Sequence, residues 1–249
     1  MGGLQGKTVI VTGAARGIGR CIAERVAAQG GHVVVADILL DEAAAVAEAI
    51  RSGGGQASHS HVDITDPESA MQLAEDVVAA HGRIDALVNN AGLDAPHGQA
   101  ATIDEAHWRH VLEVDLNGAW WCSRAVIPGM MENRAGRIIF VSSLAARVGS
   151  PTLSPAYATA KAGLIGLTVS LSSQLEPHGV LVNAITPGPT GDTGRPYSDE
   201  GRKAYLAAHP LGFGGARPIA EGVLHLLGKG GDWMSGSVLN ISGGHFRGL

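Results

Sequence analysis

The chain has 249 residues, 45% of them hydrophobic and 16% charged, with a formal net charge of -5 at neutral pH. That length can bury a sizeable core, and no Pro/Ser-rich linker or shift in composition divides it, so a single domain is expected. The acidic balance and the lack of a basic cluster exclude nucleic acid and an anionic membrane surface as partners, and no apolar run approaches the roughly 20 residues of a spanning helix.

The first seven residues hold no apolar signal core, and Gly6 stands where a myristoylation signal has Ser or Thr, so a soluble cytoplasmic protein is expected. Cys21 and Cys122 fall in separate helical patterns, which suits reduced thiols better than a disulfide. The eleven histidines are scattered. His59 and His61 share a strand face and His107 and His110 a helix face, but no third ligand joins either pair, so no metal site is expected.

Residues 8–11 are a short apolar run. Thr12-Gly13-Ala14-Ala15-Arg16-Gly17-Ile18-Gly19 follows, and then apolar residues recur at helical spacing over 20–29. This reads as strand, tight glycine turn and helix. Glycines there let the backbone pass close to a pyrophosphate, and the helix N-terminus offers N–H donors and a positive dipole end. The next strand, 32–36, ends in Asp37, which lies 24 residues past Gly13 and 18 past Gly19. That is near the spacing of about 20 expected for a carboxylate that holds a ribose diol.

The pattern then repeats. A helix over 41–51 is broken by Gly53-Gly54-Gly55, and a strand over 56–62 ends at Asp63. A helix spans 67–81 with Asp66 as its N-cap, and a strand over 86–88 ends in Asn89-Asn90-Ala91-Gly92. Gly13, Asp37, Asp63 and Asn89 are separated by 24, 26 and 26 residues, the length of one strand-plus-helix unit. Successive units of this kind build an α/β fold, a Rossmann-type doubly wound parallel sheet of about seven strands with helices on both faces. Ligands of such sheets lie outside the carboxyl ends of the strands, where this chain carries glycine, carboxylate and amide, so a dinucleotide site is expected there.

A longer helix is predicted from 105 to 131, with Trp120-Trp121 in core or subunit contact and a bend at Pro128. A fifth strand over 137–141 ends at Ser142 and Ser143. The following helix carries Tyr157 and Lys161, four residues apart and so on one face. A neighbouring ammonium favours the phenolate, which makes this pair a candidate acid/base unit. A sixth strand over 181–185 ends in Pro187-Gly188-Pro189-Thr190-Gly191-Asp192-Thr193-Gly194, too rich in Gly and Pro for regular structure. With residues 197–210 it is expected to form a mobile lid at about 189–213. A helix over 219–227 and a strand over 237–241 complete the order.

With these pieces placed, the chain resembles the short-chain dehydrogenase/reductase family over nearly its whole length. The match is carried by Thr12-Gly13-x-x-x-Gly17-Ile18-Gly19, Asn89-Asn90-Ala91-Gly92, Ser143, Tyr157-x-x-x-Lys161 and Pro187-Gly188. The resemblance implies an NAD(P)-dependent oxidoreductase of secondary alcohols and ketones. Tyr157 would exchange a proton with the substrate oxygen, Lys161 would lower the Tyr157 pKa and bind the nicotinamide ribose, and Ser143 would hold the substrate oxygen. Cofactor contacts are expected from Gly13, Arg16, Gly17, Ile18, Gly19, Asp37, Asp63, Ile64, Asn89, Ala91, Gly92, Tyr157, Lys161, Pro187, Gly188 and Thr190 or Thr193. Leu93, Asp94, Leu144, Arg147, Leu153 and Tyr197 are expected around the substrate.

Asp37 would repel a 2′-phosphate, so NAD is expected over NADP; Arg16 counts the other way, and Ile38 adds no second cation. Two features depart from the family pattern. Ser143 precedes Tyr157 by 14 residues, one more than usual, and Asp115 stands where the family has a relay asparagine. The expectation is that a relay through the main-chain carbonyl persists while the Asp115 charge sets the pH range. A binding subunit without turnover is the competing reading, but it has no use for Ser143, Tyr157 and Lys161 together. The two longest helices carry more apolar and small residues than one sheet face needs, so a homodimer or homotetramer is expected.

Overall fold

The computed structural model describes residues 3–191, 198–209 and 211–247. Its strands are β1 (Thr8–Thr12), β2 (His32–Asp37), β3 (Gln56–His61), β4 (Ala86–Asn89), β5 (Gly136–Val141), β6 (Val180–Pro187) and β7 (Val238–Ile241). They form one sheet in the order β3-β2-β1-β4-β5-β6-β7, every neighbouring pair parallel. The helices are α1 (Gly17–Ala28), α2 (Leu40–Ser52), α3 (Pro67–His81), α4 (Glu105–Leu112), α5 (Gly118–Glu132), α6 (Pro155–Leu175), α7 (Asp199–Ala208) and α8 (Arg217–Leu227). The doubly wound parallel sheet predicted from the repeat is present, and its order reverses between β1 and β4, the switch point where such folds bind ligands.

The sequence builds this sheet because its inner strands are runs of Val, Ile and Ala that can be buried on both faces. Alternate side chains then feed two cores. Val9, Val11, Val33, Val35 and Ile139 join α1, α2 and α8 on one face. Ile10, Val34, Ile138, Phe140 and Val182 join α3, α5 and α6 on the other. The edge strand β3, Gln-Ala-Ser-His-Ser-His, is polar and largely exposed. Cys122 lies in the second core, where burial pushes its thiol up to about 12, and Cys21 is half-buried; both are free. Among the described residues no helix is long and apolar enough to cross a membrane.

Local signals set the helix ends. Asp66 caps α3 by accepting from the Glu68 N–H at 2.9 Å, Pro67 occupies the first turn, and Gly82 ends the helix in the left-handed region. Ser154 caps α6, and its hydroxyl lies 2.8 Å from His107 Nε2, which ties the helix bearing Tyr157 to α4.

One expectation needs correction. The helix predicted over 105–131 changes its hydrogen bonding not at Pro128, which sits inside α5, but at Glu113–Asn117, a π turn between α4 and α5. One extra residue per turn is accommodated there without breaking the helical path, and Asp115 is at its centre. Within the stretch expected to form the lid lies a helix, α7, whose N-cap Ser198 accepts from the Gly201 N–H.

Phe140 is fully buried in the middle of the sheet, between Asn89 and Ala184 on the adjacent strands. Phe140→Ala is expected to lower unfolding stability by about 3–5 kcal/mol through lost burial and the cavity left behind, read as a lower denaturation midpoint.

Candidate active site

The carboxyl ends of the inner strands open into one cleft of ≈ 1390 Å³. This is larger than a typical pocket for one small ligand, which occupies about 300–1,000 Å³, and leaves room for a dinucleotide and a substrate together. The β1–α1 turn brings Gly13, Arg16, Gly17 and Ile18 to it, β2 brings Asp37, and the segment after β3 brings Asp63 and Ile64. Ala91 and Gly92 follow β4, and Pro187, Gly188 and Thr190 lie at and after the end of β6. A smaller depression on α4 and the π turn, lined by Trp108, Arg109 and Glu113 among others, holds none of the expected site residues.

The glycine turn is packed tightly by contact. Gly13 has φ +64°, and a Cβ there would stand 2.7 Å from Ala91 Cα; a Cβ on Gly19 would stand 2.1 Å from the Gly13 carbonyl oxygen. Because Gly13, Gly17 and Gly19 carry no side chains and the α1 N-terminus opens beside them, the residues present fit a pyrophosphate. Asp37 is fixed by the Ala15 N–H at 2.9 Å and the Leu39 N–H at 3.1 Å, which leaves each carboxylate oxygen capacity for a ribose hydroxyl. Asp63 accepts from both the N–H and the hydroxyl of Thr65, and these bonds hold its carboxyl below the usual range.

Ser143, Tyr157 and Lys161 meet on the other wall of the cleft. Ser142 also lines the cleft, but its hydroxyl is committed, donating to the Lys161 carbonyl at 2.7 Å. Ser143 Oγ accepts from the Ala145 N–H at 3.1 Å, so its own O–H remains to donate. The Lys161 Nζ lies 5.6 Å from the Tyr157 ring centre and 3.0 Å from Asp115 Oδ1, with Tyr157 7%, Lys161 4% and Asp115 1% exposed. Asp115 Oδ1 also accepts from the Leu93 N–H at 3.1 Å, while Oδ2 is buried without a hydrogen-bond partner among the described residues.

Lys161 favours the Tyr157 phenolate, the direction expected, but burial outweighs it. Burial pushes the Tyr157 phenol above its ordinary value. Lys161 and the Ser143 hydrogen bond act against that rise, whereas Asp115 and Asp94 add to it. Burial pulls the Lys161 ammonium down, but Asp115 and Tyr157 more than reverse this, and its net shift is upward.

Not every expected residue reaches the cleft. Asn89 turns its amide to Ser123 on α5 at 2.9 Å, and Arg147 places its guanidinium over the Phe246 ring at 5.7 Å. Gly19 serves by packing under Gly13. Leu93, Asp94, Leu144 and Leu153 do line the cleft, whereas Thr193 and Tyr197 lie outside the described residues.

Three contributors were missed. Asn90 Nδ2 donates to the carbonyls of Thr12 and Gly13 at 3.0 Å each, and Thr12 Oγ1 accepts from the N–H groups of Asn90 and Ala91 at 3.1 Å each, so these two side chains lock the glycine turn to the end of β4. Strand alternation through Asn89-Asn90 could have told the two amides apart. The third is His245, after the last strand, which lines the cleft and carries no signal in sequence.

A family model described as short chain dehydrogenase matches residues 7–199. The chain belongs to the short-chain dehydrogenase family. Relatives include the 3-oxoacyl-[acyl-carrier-protein] reductase FabG of Escherichia coli K12, 36% identical over 244 residues, covering 97% of this chain and 98% of that protein. The protein of the same name from Aquifex aeolicus VF5 is 37% identical over 248 residues, with 98% of both chains covered. The uncharacterized oxidoreductase YxbG of Bacillus subtilis 168 is 34% identical, covering 98% of this chain and 92% of that one. Among solved structures, one from Burkholderia xenovorans with a provisional short-chain dehydrogenase/reductase description superposes with TM-score 0.90 at 33% identity over 98% of both chains. The family places this chain among NAD(P)-dependent oxidoreductases.

Within this short-chain dehydrogenase the Asn90 bonds are the part of the nucleotide cradle most open to test. Asn90→Ala removes two hydrogen bonds from the turn, and dinucleotide binding measured by calorimetry is expected to weaken about tenfold or more with the fold retained.

Proposed function

We propose that this short-chain dehydrogenase interconverts secondary alcohols and ketones, prefers NAD, and uses Tyr157 as its acid/base. The observation that carries the reading is the meeting of Tyr157, Lys161 and Ser143 on one wall of a cleft whose other end is the glycine cradle. In reduction the Tyr157 phenol gives its proton to the carbonyl oxygen; in oxidation the phenolate takes it back. The Ser143 O–H, hydrogen-bonded to Tyr157 before substrate arrives, would donate to the same oxygen and stabilise charge developing there. Lys161 supplies positive charge beside the phenol and a donor for a ribose hydroxyl. The glycine turn, Asp37 and the residues after β6 would hold the nicotinamide dinucleotide, which would supply or accept the hydride.

A 3-oxoacyl group offers a ketone, so the reaction named for the FabG relatives falls within this class. A 3-oxoacyl thioester therefore belongs in a panel of ketones and secondary alcohols followed by nicotinamide absorbance with both cofactors. Absence of turnover across that panel would favour the binding subunit instead.

Tyr157→Phe deletes only the phenolic oxygen. Turnover is expected to fall about a hundredfold or more while cofactor affinity stays close to normal; appreciable wild-type rate at any pH would remove Tyr157 from the role. Asp37→Ala is expected to raise kcat/KM for NADP relative to NAD by about tenfold or more, because a carboxylate that repels the 2′-phosphate is gone. Equal or better efficiency with NADP in the unaltered enzyme would overturn the NAD preference.

A further inference from the structure

We infer that Asp115 is a positioning residue that neutralises Lys161 and so keeps Tyr157 in its protonated, proton-donating form, setting this site toward carbonyl reduction. The inference rests on the reading of Tyr157 as the acid/base.

It starts from contact. The Lys161 ammonium meets the Asp115 carboxylate directly at 3.0 Å, with both side chains almost wholly removed from water. The carboxylate has one other donor, the Leu93 N–H, and its second oxygen has no hydrogen-bond partner among the described residues. A buried cation with one carboxylate against it forms a pair of no net charge. An unopposed ammonium 5.6 Å from the Tyr157 ring centre would favour the phenolate and lower the phenol. Asp115, in contact with the same ammonium, takes back part of that lowering.

The surroundings do not restore it. Tyr157 is packed by Val111 of α4, Leu93 and Ala95 after β4, and Ala145 after β5. The titratable groups brought to the cleft around it are Asp94, His97, His110 and His245. Asp94 adds negative charge, and the histidines are common to the variants compared below. An uncharged amide at position 115 would leave Lys161 unopposed. Here the phenol instead keeps its proton further into the alkaline range. A protonated Tyr157 is the form that reduces a ketone, and a deprotonated one is the form that oxidises an alcohol. Reduction therefore persists as pH rises, and oxidation begins only at higher pH.

The Gly92 position shows how closely this pair is fitted. A Cβ there would stand 2.4 Å from Asp115 Oδ1 and 3.0 Å from Lys161 Nζ, so glycine is what allows the β4 end to lie against both charges.

The test is a tyrosinate absorbance titration of the protein without cofactor. Tyr157 is isolated by subtracting the curve of Tyr157→Phe, which retains the other two tyrosines. Asp115→Asn is expected to move the Tyr157 midpoint to lower pH by about one unit or more. The alkaline fall of reduction and the rise of oxidation should both move the same way. If Asp115→Asn does not fold, Asp115→Ser removes the same charge while keeping an acceptor for Leu93. A midpoint that stays in place, or rises, overturns the inference, and a merely structural role for Asp115 would leave it in place. Because the titration needs no turnover, it fails separately from the functional reading, which falls instead if Tyr157→Phe stays active.

Discussion

Parallel pairing is the constraint from which the site follows. When every strand runs the same way, each must be followed by a crossover, and all the carboxyl ends lie along one edge of the sheet. In this chain the residues at that edge are unlike those that precede them. Val and Ile fill the strands, and Gly13, Asp37, Asn90 and Ser143 stand at or just beyond their ends. The two hydrophobic cores pack against the two faces of the sheet and leave its carboxyl edge open, while Thr12 and Asn90 tie the glycine turn after β1 to the end of β4. Binding geometry is thus a by-product of register, reinforced by two polar side chains.

Burying Lys161 is the costly feature of this arrangement, since an isolated ammonium out of water is strongly disfavoured. The chain offsets that cost with Asp115, and Asp115 reaches Lys161 from the π turn that interrupts the α4–α5 path. The extra residue of such a turn re-aims a side chain that a regular helix would direct elsewhere, so backbone irregularity and buried charge are one feature. The α6 cap works from the other end: Ser154, held near His107, sets the start of the helix whose first turns carry Tyr157 and Lys161.

The repeating part of this molecule was legible in the sequence because it is governed by period. Apolar runs, helical spacing and strand ends 24 to 26 residues apart specify βα units without reference to distant contacts. Tyr157 and Lys161 were legible for the same reason, being four residues apart on one helix. What could not be read depended on direction at irregular points. The sequence does not say that Asp115 touches Lys161 directly, since that requires the π turn, and the helix was expected to deviate at Pro128 instead. Asn89 was taken for a cleft residue because the strand was counted to its end without following which face each amide presents. Arg147 places its guanidinium over the ring of Phe246, 99 positions later.

The same reasoning explains why the substrate is harder to read than the cofactor. The nucleotide half of the cleft is built from strand ends, whose positions are fixed by hydrogen-bonded register. The substrate half is built from segments outside the sheet: the stretch after β4, the turn after β5, joined to it by a single antiparallel bridge between His97 and Leu153, and the chain after β7. α7 buries none of its residues, and its docking runs through a file of rings in which Phe213 stacks on Tyr205, Tyr205 on His209 and His209 on His245, at 4.3, 4.3 and 4.4 Å. Burial and the adjacent His209 hold the His245 imidazole below its ordinary range, so it meets its neighbour uncharged at neutral pH. His245 is both the end of that file and part of the cleft wall. The shape offered to a substrate is therefore decided by stacking among residues spread over more than thirty positions, a kind of contact that has no period and leaves no motif.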